Sequence, residues 1–198
     1  MLRFETLKSE DHSKILPALA RLSIEIFREY PFCYDGDFDF EMHDLSTYVE
    51  SPDARIFLAL DGNSVVGFTT CKPLRYAPES VKAPLIQGKV SVDEVLYLGE
   101  STLKPEFRGR GIGKHFFELR EKHARTILGI KKNIFFTITR PDSDPKCPEN
   151  YRNLHAFWKS QGYSPIPELV SYYPWREIGE QQAQLHTMQY WEKQLSSN

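Results

Sequence analysis

Residues 3–8 alternate apolar and polar positions, the period-two pattern of a first strand. Ile15, Leu19, Leu22 and Ile26 then recur at helical spacing. Ser9 or Ser13 is placed to cap that helix, and Pro17 suits it only in the first turn. Over residues 30–44 the pattern changes: Asp35, Asp37, Asp39, Glu41 and Asp44 interleave with Tyr34, Phe38, Phe40 and Met42. A short second helix is expected from there to about Glu50. Residues 55–60 and 64–72 are β-rich runs on either side of Asp61-Gly62-Asn63, a local hairpin signal. Residues 73–92, with Pro78 and Pro84, carry no clear period and read as a connection or insertion, and residues 94–103 form a strand stopped by Pro105.

The strongest helical pattern covers residues 111–128. Ile112, Phe116, Phe117, Leu119, Ala124, Ile127 and Leu128 share a face, with Lys114, Glu118, Lys122 and Arg125 opposite. Arg120 and His123 intrude on the apolar side and must snorkel or find partners. A strand at 133–139, a Pro/Asp-rich loop at 140–148 and a helix at 151–161 ended by Gly162 follow. Residues 169–175 and 186–193 close the chain as an antiparallel pair across Gly179. The order β-α-α-β-β-β-α-β-α-β-β argues for one α/β domain, residues 1–198, around a mixed sheet.

Composition adds limits. The chain has 198 residues, 40% hydrophobic and 26% charged, with a formal net charge of −2. Nothing in that balance points to nucleic acid or an anionic membrane. No stretch reads as a signal peptide or a membrane span. Cys33, Cys71 and Cys147 are far apart and without a Cys-x-x-Cys pair, which fits free thiols in a reducing cytoplasm. The six histidines are dispersed, so a metal site is not expected, and no Gly-x-Ser-x-Gly supports a hydrolase.

The candidate chemistry lies in Arg108-Gly109-Arg110-Gly111-Ile112-Gly113, between a strand and a long helix. A first helical turn has free backbone N–H groups and the positive end of the helix dipole. Three glycines let that backbone approach an anion, and Arg108, Arg110 and Lys114 add charge, so a pyrophosphate is the natural guest. A Walker A loop is excluded because His115 follows Lys114, and a dinucleotide fingerprint because the glycine spacing differs.

This segment resembles the GNAT superfamily of acetyl-CoA-dependent N-acetyltransferases. Arg108, Gly111 and Gly113 match its Arg/Gln-x-x-Gly-x-Gly/Ala signature, and a fuller form matches from Leu103 to Gly113. The resemblance implies a mostly antiparallel sheet flanked by helices, with splayed central strands holding the cofactor. Backbone groups from Ser101 to Leu103 would bond the pantetheine arm, and the N–H groups of residues 108–114 the pyrophosphate. Glu100 is the expected base and Glu94 the weaker candidate. The family's usual acid is a tyrosine; here Trp158 stands at that position, able only to pack on the pantetheine or donate a weak N–H bond. Tyr151, His155 and Tyr163 are the nearby substitutes, Tyr151 being the catalytic choice beside Glu100.

The acidic-aromatic segment falls where the family's first two helices wall the acceptor site, and its composition suits a cationic amine. The loop at 140–148 borders the same pocket, where Arg140 would instead suit a carboxylate. The expected function is transfer of acetyl from acetyl-CoA to a primary amine, on a small molecule or a protein, without a metal. A larger acyl donor and a homodimer stay open. The rival is a non-catalytic acyl-CoA-binding module on the same fold, favoured by Trp158.

Overall fold

The computed structural model describes residues 1–195. The elements are β1 (Leu2–Thr6), α1 (His12–Phe27), α2 (Phe38–Glu50), β2 (Arg55–Asp61), β3 (Ser64–Pro73), α3 (Glu79–Gln87), β4 (Val95–Leu103), α4 (Ile112–Ala124), β5 (Lys132–Ile138), α5 (His155–Ser160), β6 (Ser164–Trp175) and β7 (Gln184–Gln194). They build one seven-stranded sheet in the order β1-β2-β3-β4-β5-β7-β6. Every neighbouring pair is antiparallel except β4 and β5. The mixed, mostly antiparallel α/β domain expected from the sequence is the fold observed.

The hairpin closes where Asp61-Gly62-Asn63 indicates, with Asp61 opposite Ser64. One sheet face is covered by α1 and α2, whose Leu16, Leu19, Leu22, Leu45 and Tyr48 pack on Ile56, Leu58 and Phe68. The other face carries α4 and α5, with Phe117 and Ala124 packed against Leu96, Leu98, Phe135 and Trp191.

Several boundaries differ from the sequence reading. A 3-10 turn over Ser9–Asp11 leads into α1, so neither Ser9 nor Ser13 caps it, and Pro17 lies in the second turn rather than the first. Helix α2 begins at Phe38, well before Asp44, because the Asp37 carboxylate accepts from the Phe40 N–H at 3.0 Å. That places Glu41 on the same inward face as Leu45 and Tyr48. Helix α4 stops at Ala124, leaving Leu128 almost wholly exposed instead of on the apolar face. Arg120 does not snorkel: it is buried, donating to the Phe116 carbonyl and lying over the Phe117 ring, while His123 pairs with the Asp53 carbonyl. Helix α5 begins at His155, not 151, since the Asn153 side chain takes the His155 N–H and leaves Tyr151 in the preceding loop. Strand β6 starts earlier than 169, broken in register between Pro165 and Val170.

The largest difference is at residues 73–92. Pro78 precedes helix α3, which buries Val81 and Leu85 against Val95, Tyr97, Ile134 and Tyr190. Pro84 and the helix's nine residues hid its period. Leu85 is fully buried, so Leu85→Ala is expected to cost about 2–5 kcal/mol, read as a lower denaturant midpoint. A midpoint unchanged by that substitution would show that α3 is not part of the core.

Candidate active site

Strands β4 and β5 pair over only three rungs: Val95 with Lys132, Leu96 with Asn133 and Tyr97 with Ile134. Beyond Tyr97 they part, while β4 stays paired with β3 as far as Leu103. The β5-facing backbone of β4 from Leu98 to Leu103, including Ser101, therefore has no strand partner. Opposite Thr70, β4 carries two residues, Gly99 and Glu100, a bulge that re-aims the strand. The bulge is fixed by hydroxyls. Thr70 Oγ1 accepts from the Glu100 N–H at 2.9 Å, and Thr69 Oγ1 donates to the Glu100 carbonyl at 2.9 Å. Glycine is required at 99 because a Cβ there would overlap the Tyr48 hydroxyl.

Past Leu103 the chain makes a 3-10 turn over Pro105–Phe107 and enters α4 through Gly111, which is left-handed at φ 81°, as is Gly109 at φ 74°. The N–H groups of Gly109, Arg110, Gly111, Ile112, Gly113 and Lys114 have no partner among the described residues. A Cβ on Gly109 or Gly111 would meet no protein atom within 4 Å, so the open side of the turn is shaped for something other than its own chain. The buried Ile112 side chain anchors the turn beside Ala59, Val66 and Phe116. These residues fit the pyrophosphate of a coenzyme A: consecutive donors at a helix N-terminus.

Two details revise the expected cradle. The Arg108 N–H is already bonded to the Pro105 carbonyl at 3.1 Å. Its guanidinium makes a two-bond clamp on Glu29 at the end of α1, at 2.8 and 3.1 Å. Arg108 thus ties the turn to α1 and offers an anion neither group in this arrangement. Arg110 lies over the Phe107 ring and Lys114 is exposed, 3.8 Å from Glu118.

Glu100 projects from the bulge toward α1 and α2. The Ser23 hydroxyl donates to its Oε2 at 2.5 Å. Burial, then the charges of Glu41 and Asp44, hold the Glu100 carboxyl well above the usual range. Burial likewise pushes Glu41 up to about 7, and raises Asp44. Lys72, fully buried on β3, donates to Thr47 Oγ1 at 2.6 Å and sits 3.8 Å above the Tyr48 ring. Glu41, Ser23 and the Glu29 clamp were not singled out as site residues in the sequence. Only the Glu41, Leu45, Tyr48 spacing signals that one of those acidic residues turns inward.

Tyr151 is half-buried with its ring edge-on to Tyr30, 4.6 Å between centroids, and the structure shows no contact between it and Glu100. Burial raises its hydroxyl further from an acid's range. Trp158 packs among Phe135, His155 and Trp191 on the β5 side of the parting. Tyr163 is buried, accepts from Asn133 and donates to Glu121, a structural role. Arg140 is not free for a substrate carboxylate. It donates to the Pro31 carbonyl at 2.8 Å and to Glu177, which also binds Lys146. Among the described residues no group of three His, Cys, Asp or Glu is placed to hold a metal ion.

The family model described as Acetyltransferase (GNAT) family matches residues 20–163, spanning both the turn and the carboxyls. The chain belongs to the GNAT acetyltransferase family. No curated protein matches it in sequence. Among solved structures it is similar to Arabidopsis thaliana NAA60 in complex with a bisubstrate analogue, at 16% identity and TM-score 0.63 over 99% of this chain and 100% of that one. It is also similar to the Brucella melitensis ribosomal-protein-alanine N-acetyltransferase, at 15% identity and TM-score 0.62 over 98% and 99%. A Salmonella typhimurium protein, yncA, solved with its cofactor acetyl-CoA, aligns at 11% identity and TM-score 0.60 over 100% and 96%. At these identities the likeness establishes the shared fold.

If Tyr163 is structural, Tyr163→Phe should lower unfolding free energy by about 1–2 kcal/mol and leave acetyl transfer unchanged. A stable variant with lost turnover would instead make Tyr163 the acid.

Proposed function

We propose that this family member transfers acetyl from acetyl-CoA to a primary amine on a small molecule. The observation that carries the reading is the free N–H run at Gly109–Lys114 opening beside parted β4 and β5, with Glu100 on the same strand. The pyrophosphate would rest on that run and the pantetheine on β4 between Ser101 and Leu103, with Trp158 walling the far side. When bound, acetyl-CoA supplies an activated acetyl thioester. Glu100 takes a proton from the ammonium of the acceptor, freeing the lone pair that forms the nitrogen–carbon bond as the carbon–sulfur bond breaks. The thiolate takes one proton and one is released to solvent. Tyr151 has no contact that supports it as the acid, and the thiolate can leave without one.

Acidic and tyrosine side chains around Glu100 suit a cationic acceptor. Three free thiols fit a reducing cytoplasm. The second reading, a non-catalytic acyl-CoA-binding module, is favoured by Trp158 in the place of a tyrosine. Labelled acetyl-CoA incubated with a panel of small amines and peptides separates the two: label on an amine supports transfer, and binding without label on any acceptor supports the module.

Gly111→Trp should weaken acetyl-CoA binding by roughly a hundredfold or more, measured by calorimetry, in a protein with an unchanged circular-dichroism spectrum. Unaltered affinity would remove the turn as the pyrophosphate site. Glu100→Gln should lower kcat by about 10²–10⁴ with acetyl-CoA affinity retained; full turnover in that variant would remove Glu100 as base.

A further inference from the structure

Ser23 has no part in the reaction as described so far, yet it stands where the packing of α1 has no need of a hydroxyl. It follows Leu16, Leu19 and Ala20 along the buried face of the helix and is itself fully buried. Alanine would fill that place with better helix propensity and no polar atom to satisfy. A mid-helix serine commonly turns its hydroxyl back on the carbonyl one turn earlier. Ser23 instead directs its single proton across the boundary between helix and sheet, to Glu100 Oε2 at 2.5 Å. With the Thr69 and Thr70 bonds to the Glu100 backbone, that bond holds the residue from α1 and from β3 at once. No amide, hydroxyl or cationic donor reaches the other oxygen, Oε1, among the described residues, and Oε1 is not one of the unpaired polar atoms sealed from solvent.

We propose that Ser23 is a positioning residue for the transfer: its hydroxyl holds Oε2 of Glu100 and leaves Oε1 to take the proton of the acceptor ammonium. This rests on the N-acetyltransfer reading, with Glu100 as base, and deepens it. On proton transfer the nitrogen–hydrogen bond of the ammonium breaks, its electron pair stays on nitrogen, and an oxygen–hydrogen bond forms at Oε1. Ser23 keeps its own proton throughout and never touches the amine. Its bond fixes the rotation of the carboxyl, so that the same oxygen always stays free. It also favours the ionised carboxylate, since a hydroxyl donates more strongly to a charged oxygen than to a neutral one. That support acts against the surroundings of Glu100, where Glu41, Asp44 and Tyr48 face it from α2. Lys72 on β3 is turned instead to Thr47 and the Tyr48 ring.

The acid limb of kcat/KM reports ionisation of the base in the free enzyme. Losing a donor to the charged form raises the proton affinity of Glu100, so Ser23→Ala should move that limb upward by about one pH unit. Acetyl-CoA affinity and the circular-dichroism spectrum should stay unchanged. Ser23→Cys nearly keeps the side-chain volume but donates weakly, so it should shift the limb in the same direction. Ser23→Thr, which keeps the hydroxyl, should keep the wild-type limb. Added to Glu100→Gln, Ser23→Ala should cause no further loss of turnover. An unmoved limb in both Ser23→Ala and Ser23→Cys, or an undiminished loss in the Glu100→Gln background, would overturn the assignment of Ser23 while leaving Glu100 as base. A second readout needs no turnover: the carbon-13 titration of the Glu100 carboxyl in glutamate-labelled protein, identified by its absence in Glu100→Gln. Its midpoint should rise by about one pH unit in Ser23→Ala, and an unchanged midpoint would overturn the assignment. A raised midpoint in a protein that acetylates no amine would uphold the hold of Ser23 on Glu100 and overturn the transferase reading.

Discussion

The structure depends on a parallel strand pair that is allowed only three rungs. Beyond Tyr97 and Ile134, β4 and β5 go their own ways, and each loses the hydrogen bonds that continued pairing would give. The cost is contained because β4 keeps β3 on its other side and β5 keeps β7 along its whole length. The parting leaves a run of β4 backbone facing away from any strand and lets α4 begin beside it with unpaired N–H groups. The surface proposed to bind the cofactor is thus made mostly of main chain.

The same divergence sets up the carboxyls. The bulge at Gly99 and Glu100 gives β4 its change of direction and turns Glu100 toward α1 and α2. Two threonine hydroxyls hold both backbone groups of Glu100, so its carboxyl is presented from a rigid strand rather than a loop. Beyond α1, the turn that follows it is bound to the β6–β7 connection by a bridge between Tyr34 and Glu177 and by the Arg140–Glu177–Lys146 network. The acidic-aromatic segment is therefore held at two ends: Glu29 fixes the end of α1 to the glycine turn, and Glu177 ties the following turn to the far edge of the sheet.

How much of this was legible beforehand follows from what kind of physics wrote it. The strand–turn–helix around Gly109, Gly111 and Gly113 was readable because backbone conformation demands particular residues locally. The β2–β3 hairpin was readable for the same reason. Helix α3 was not, because nine residues with Pro84 inside give too short a pattern, and only its packing on Tyr97 and Tyr190 reveals it. Glu100 could be placed on its strand, but neither the bulge nor Ser23 could be paired with it, since those contacts join residues far apart in sequence. Arg108 and Arg140 looked like free cations for substrate; tertiary partners at Glu29 and Glu177 had already claimed them. Trp158 was located on its helix by its distance from Gly162, but its aromatic neighbours come from β5 and β7.

In the proposed function, affinity for coenzyme A is carried by backbone donors facing the pyrophosphate. Calorimetric titration of the protein with coenzyme A, dephospho-coenzyme A, phosphopantetheine and pantetheine tests it directly. The largest single loss of affinity is expected where the pyrophosphate is cut to a single phosphate by loss of AMP, between dephospho-coenzyme A and phosphopantetheine. Equal binding of those two ligands would contradict it.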